Sequence, residues 1–202
     1  MNNLDHFYNS DITHFSKNYF SYLEKLFKGI DHYQIKIFVE KLIQARHEGK
    51  NIFFIGNGGS AATASHFAND IAIGTKSHKK PFKAISLTDN QAIISAIGND
   101  YGFEFIFSKQ IENFGNNNDL LIAISASGNS LNLINAFKSA KSKNIKTFSI
   151  TAFDGGKIKD MADNNIHIPT GSGEYGPAED IHMILAGLVG SFLIRFVLDE
   201  NK

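Results

Sequence analysis

Cysteine is missing from all 202 residues, which excludes disulfides and thiolate metal sites and fits a reducing compartment. Charge of one sign is missing too, since 20 basic residues cancel 20 acidic ones and no basic stripe stands out. Non-specific nucleic-acid binding depends on neutralising many phosphates, so no direct nucleic-acid partner is expected. No uninterrupted apolar run reaches about 18 residues, so no membrane partner or span is expected. The opening Met-Asn-Asn-Leu-Asp-His lacks a basic stretch followed by an apolar one, and no secretory signal is read there. Tryptophan is absent beside 18 phenylalanines, a bias with no functional meaning of its own. Repeats, low-complexity tracts and long linkers are also missing. The expectation is a soluble, cytoplasmic protein whose residues 1–202 form a single domain, with 43% hydrophobic residues to build its core.

What is present is an ordered alternation of patterns. Residues 1–48 read as a helical hairpin, with Phe15, Tyr19, Tyr22, Leu23 and Leu26 and then Ile37, Phe38, Leu42 and Ile43 at helical steps. Gly29 suits a helix stop and Asp31 an N-cap between the two. A hairpin this apolar needs cover from the sheet or from another subunit. Residues 49–202 read as an α/β core with a C-terminal helix. Strand-like runs fall near 51–55, 82–88, 119–125, 146–151 and 165–168. Helical patterns fill 60–73, 90–98, 103–114, 129–142 and 155–162, and a last one spans about 178–198. Short apolar strands alternating with helices imply right-handed crossovers and a parallel sheet covered on both faces. The fold class is therefore α/β, a Rossmann-like three-layer sandwich on a five-stranded parallel sheet with an N-terminal helical extension.

Two loops at the carboxyl ends of strands carry the chemistry. Gly56-Asn57-Gly58-Gly59-Ser60 follows the first strand and Ser125-Ala126-Ser127-Gly128-Asn129-Ser130 follows the third, each opening a helix. Helix N-termini offer unpaired N–H groups and the positive end of the dipole, serines add rotatable donors, and glycines permit close approach. Two such loops point to a small phosphorylated ligand. The bland alternative is a pair of strand-to-helix turns rich in small residues.

These loops, together with His66-Phe67-Ala68, Gly98-Asn99-Asp100-Tyr101-Gly102-Phe103 and Asp154-Gly155-Gly156, resemble the sugar isomerase (SIS) fold. The resemblance covers almost the whole chain, and its nearest branch is the phosphoheptose isomerases with their non-catalytic relatives. It implies a sugar-phosphate site shared between subunits of a homotetramer. By position, Ser125, Ser127, Ser130 and the Ala126 backbone would hold the phosphate. Asn57, Gly58, Gly59 and Ser60 would line the sugar side, and Asp89 and Asn90 would contact substrate hydroxyls, unless they merely cap a helix.

Where the isomerase branch has a glutamate four residues after the histidine, this chain has Asp70, one methylene shorter. Spacing of i and i+4 puts His66 and Asp70 on one helix face. The last helix departs further: the branch's glutamine and histidine, eight residues apart, are Glu179 and Gly187 here. Gly187 cannot donate a proton, so the expected acid–base pair is incomplete. Asp70 is the expected catalytic base, with Glu179 or water in place of the lost acid. Some relatives bind zinc at these positions, which would make His66, Asp70 and Glu179 its ligands here; no organic cofactor is expected. His182 shares a face with Glu179 but is read as structural.

The resulting function is conversion of sedoheptulose 7-phosphate to D-glycero-D-manno-heptose 7-phosphate, an aldose–ketose isomerisation through an enediol. The alternatives are a non-catalytic phosphosugar-binding regulator or scaffold with a protein partner, and an isomerase for a different sugar phosphate.

Overall fold

The computed structural model describes residues 2–77, 79–200 and 202. Five parallel strands, β1 (Asn51–Gly56), β2 (Lys83–Ser86), β3 (Leu120–Ser125), β4 (Lys146–Ala152) and β5 (Asn164–Ile168), pair in the order β2-β1-β3-β4-β5. The chain leaves β1 toward β2 on one side, and β3 begins the run toward β5 on the other. The order therefore reverses between β1 and β3, where open α/β sheets bind ligands beyond the strand carboxyl ends. Both Ser/Gly loops flank that reversal.

Alternating side chains of the strands feed two cores. Ile52, Phe54, Ile122, Phe148 and Ile150 face α2 (Ile12–Lys28), α3 (His32–His47), α4 (Gly59–Asn69) and α9 (Tyr175–Glu200). Phe53, Ile55, Leu121 and Ala123 point the other way. There they meet α6 (Ser108–Phe114), α7 (Leu131–Ser142) and α8 (Gly156–Met161), with Ile94 and Ile97 of α5 (Gln91–Asp100) at the margin. The hairpin packs on the first face through Leu23, Leu26, Phe38 and Leu42. Its break is as the residues indicate. Gly29 ends α2 by donating to the carbonyls of Leu26 and Phe27, and Asp31 caps α3 by accepting from the Tyr33 N–H at 2.8 Å.

The structure refines several boundaries. A short α1 (Asn3–Phe7) precedes the hairpin, capped by the Asn2 side chain. The helix expected over 103–114 divides into a 3-10 turn (Phe103–Phe105) and α6, because Ile106 and Phe107 between them turn into the core. The helix expected over 60–73 changes at Asp70 into a π-turn (Asp70–Gly74), a feature frequent at functional positions. Finally, α9 is long and apolar enough by length and composition to cross a membrane, although His182, Ser191 and Arg195 interrupt its apolar run. One face of it, through Ile181, Leu185, Val189, Leu193 and Val197, lies in the core.

Candidate active site

The 125–130 loop leaves β3 at Ser125, whose buried hydroxyl accepts from the Gly128 N–H at 3.0 Å and keeps its own proton to donate. Ser127 Oγ accepts from the Asn129 N–H at 3.4 Å. Ser130 is the N-cap of α7 but makes no side-chain capping bond, so its hydroxyl is uncommitted at the positive end of a 12-residue helix. Gly128 has φ +63°, and a methyl group there would strike the Gly155 carbonyl. The loop is thus pressed against the Asp154-Gly155-Gly156 turn, with the Lys157 N–H donating to Asn129 Oδ1 at 3.1 Å. Ala126 is buried, its carbonyl accepting from the Ala152 N–H, and the Ser127 hydroxyl is half-buried.

The 56–60 loop is held differently. Asn57 does not turn its amide toward open space: it exchanges two hydrogen bonds with Asn132 on α7, at 3.0 and 2.8 Å. This reciprocal amide pair locks the two loops side by side, and Asn132 is a member of the site that local sequence signals did not mark. Gly58 (φ +54°) turns the chain, Gly59 starts α4, and Ser60 is buried. Asn90 takes the capping role, accepting from the Ile93 N–H at 3.1 Å. Asp89 accepts from Thr88 Oγ1 at 3.0 Å and from the hydroxyl of Ser65 on α4.

The remaining candidates lie on the seam between α4 and α9. His66 Nε2 stands 3.2 Å from Asp70 Oδ2, as the spacing implies. A methyl at Gly59 would collide with the Glu179 carboxylate, while a methyl at Gly190 would touch Asp70 at 3.3 Å. The two helices therefore run alongside in the same direction, and the same 11-residue step separates each pair. At about 1.5 Å per residue, Asp70 lies about 16 Å down the seam from Glu179. Because α4 links parallel strands, it runs back from the carboxyl edge, carrying His66 and Asp70 away from the 125–130 loop of their own chain. Asp70 and Glu179 are consequently not a catalytic pair within one chain. The zinc set fails for the same reason: His66 and Asp70 meet, Glu179 does not, and Gly187 faces open space. Among the described residues no three His, Asp or Glu side chains converge as ligands. The residues of one chain do not fit the metal.

His182 is buried as expected. Neither ring nitrogen has a hydrogen-bond partner, and burial pushes its pKa down to about 4.

This arrangement has close counterparts. The SIS domain family matches residues 14–152. The chain is 35% identical to a phosphoheptose isomerase of Helicobacter pylori over 92% of its own length and 96% of the relative's. The chain belongs to the phosphoheptose isomerases of the SIS family. A Campylobacter jejuni phosphoheptose isomerase is 41% identical over 72% of the chain and 77% of that protein. The structure of a phosphoheptose isomerase from Francisella tularensis superposes with a TM-score of 0.80 at 25% identity, covering 93% of this chain and 99% of that one. The protein is an isomerase, and its five-stranded sheet is the one expected.

Proposed function

We propose that the protein, residues 1–202 acting as one domain, interconverts sedoheptulose 7-phosphate and D-glycero-D-manno-heptose 7-phosphate. The observation that carries this is the 125–130 loop: three serines and a helix N-terminus at the sheet's reversal point, locked to the 56–60 loop through Asn57 and Asn132. The phosphate rests on Ser127, Ser130 and the Ala126 backbone, with Ser125 shaping the turn and donating its remaining proton. The sugar chain extends past Gly58, Gly59 and Ser60 toward Asp89.

Asp70 is the base that takes a proton from C1 of the ketose, forming the enediol, and returns it to C2 to give the aldose. His66, whose Nε2 stands 3.2 Å from Asp70 Oδ2, orients the carboxylate, and water or Glu179 manages the oxygen protons. About 16 Å along the seam separates Asp70 from the loop-side residues of its own chain, so one catalytic centre draws on two copies. The face of α9 beside Gly187 supports that reading. Ile184, Leu188 and Phe192, one helical turn apart, are 47%, 46% and 52% exposed, an apolar stripe suited to a homo-oligomer such as a tetramer. A zinc ion in this scheme would need a ligand beyond His66 and Asp70 from another copy, and elemental analysis of protein purified without chelator reads its presence. A cytoplasmic setting agrees with the cysteine-free composition.

Incubation with sedoheptulose 7-phosphate, followed by NMR, tests the reading, and appearance of the aldose heptose phosphate is expected. Gly187 favours one competing reading, a pocket that binds phosphosugars without turning them over. Thermal stabilisation by the ligand with no product would establish that alternative.

A further inference from the structure

The loop between β5 and α9 carries a buried carboxylate that the reaction does not consume. Glu174 is fully enclosed, yet it accepts four hydrogen bonds. Two come from Asn3, its backbone N–H at 2.5 Å and its side-chain Nδ2 at 2.8 Å. The others come from the Tyr22 hydroxyl at 2.5 Å and the Gly171 N–H at 2.8 Å. Burial works to raise the Glu174 carboxyl, but the bonds from Tyr22, Asn3 and Gly171 outweigh it and hold the group below the usual range. The residue therefore stays ionised as the hub joining α1, α2 and the 169–175 loop.

What this loop borders gives the hub its meaning. A cavity of about 470 Å³ lies between it and the phosphate loop, with Ser127, Asn129 and Asp154 on one side and Thr170, Ser172 and Tyr175 on the other. Phe153 sits in the left-handed region at φ +54°, a costly conformation for a bulky residue. Its ring packs edge-on against Tyr175 at 5.1 Å, and its N–H donates to Thr170 Oγ1 at 3.4 Å. The Glu174 carbonyl also accepts from the Ala178 N–H at 3.2 Å, which fixes the first turn of α9 and with it Glu179 beside Gly59. A second polar tie runs from Tyr19 on α2 to Asp180, at 2.6 Å.

We propose that Glu174 is a positioning residue for the isomerase reaction. Its buried carboxylate latches the N-terminal segment and α2 onto the 169–175 loop, and so sets where Tyr175 and Glu179 stand relative to the phosphate loop. The N-terminal helices thereby shape the ligand pocket without touching the ligand. This inference rests on the sugar-phosphate reading of the 125–130 loop.

The test measures Kd for sedoheptulose 7-phosphate, KM, kcat and Tm for the wild type, Glu174→Gln, Tyr22→Phe and Glu200→Gln. Glu200 is the control: it clamps Arg46 and His47 to the far end of α9, at 2.5 and 3.2 Å, about 39 Å from the helix start. Glu174→Gln replaces half of an all-acceptor group with a donor facing donors. It should raise Kd and KM on the order of tenfold with kcat changed less, and Tyr22→Phe should move them in the same direction by less. Glu200→Gln should lower Tm and leave Kd unchanged. Unaltered Kd and KM in both latch variants, with only Tm reduced, would overturn the proposal. A wild type that neither binds nor converts any sugar phosphate would overturn the functional reading and the latch with it.

Discussion

The phosphate-loop half of the site and the α4–α9 flank differ in the material that builds them. At the loop, backbone does most of the work: a helix N-terminus, a positive-φ glycine pressed on a neighbouring turn, and serines whose hydroxyls sit on that frame. On the flank, the proposed chemistry depends on a few side chains, chiefly Asp70 with His66 3.2 Å from it, and Gly187 offers none. A grip made from backbone tolerates little change. A proton-transfer set made from side chains changes one residue at a time. The proposed phosphate grip thus rests on the frame of the fold, while the proposed proton-transfer set rests on a few side chains.

The largest effect should come from the flank. Asp70→Asn should lower kcat about 10² to 10⁴-fold, the range of general-base catalysis, while Kd for the sugar phosphate stays within a few-fold. Undiminished turnover would remove Asp70 as the base. His182, which sits on α9 between the levels of Glu179 and Gly187, couples the halves through stability. Its folded pKa of about 4 lies below the unfolded value of 6.5, so its contribution is complete above pH 6.5 and is lost as pH falls toward 4. The lost contribution amounts to about 3 kcal/mol. Urea unfolding at pH 7 and pH 4.5 should show the wild type losing more stability than His182→Leu, and parallel losses would refute the assignment.

On the loop side, Gly128→Ala forces a side chain into the Gly155 carbonyl at positive φ. It should cost about 2 kcal/mol of stability and weaken phosphate binding together. Normal binding by that variant would mean the loop is not the grip. The smallest change expected is a gain. Gly187 has nothing within 4 Å of where a side chain would begin, so Gly187→His has room and supplies a proton donor. A rise in kcat of about tenfold, a fraction of the 10²- to 10⁴-fold that a fully positioned acid–base group supplies, would show that the flank lacks only its acid.

Much of this architecture was legible in the residues because it is local. Strand runs, loop glycines, the Gly29 stop and the Asp31 cap are all short-range signals, and each has its counterpart in the structure. The Asn57–Asn132 amide pair, the Ser65–Asp89 contact and the Glu174 hub join residues far apart in the chain, so periodicity and spacing hold no trace of them. The separation of Asp70 from Glu179 escaped for a related reason. The spacing of His66 and Asp70 identifies a shared helix face, but only the packing of α4 along α9 reveals which level of the partner helix that face meets.

The most direct test is complementation between two inactive variants, Asp70→Asn and the double substitution Ser127→Ala with Ser130→Ala. If catalysis joins the flank of one copy to the loop of another, unfolding, mixing and refolding the two should yield hybrid oligomers with one intact site and measurable heptose phosphate formation. A mixture that forms hybrids yet stays as inactive as either parent would contradict the two-copy site.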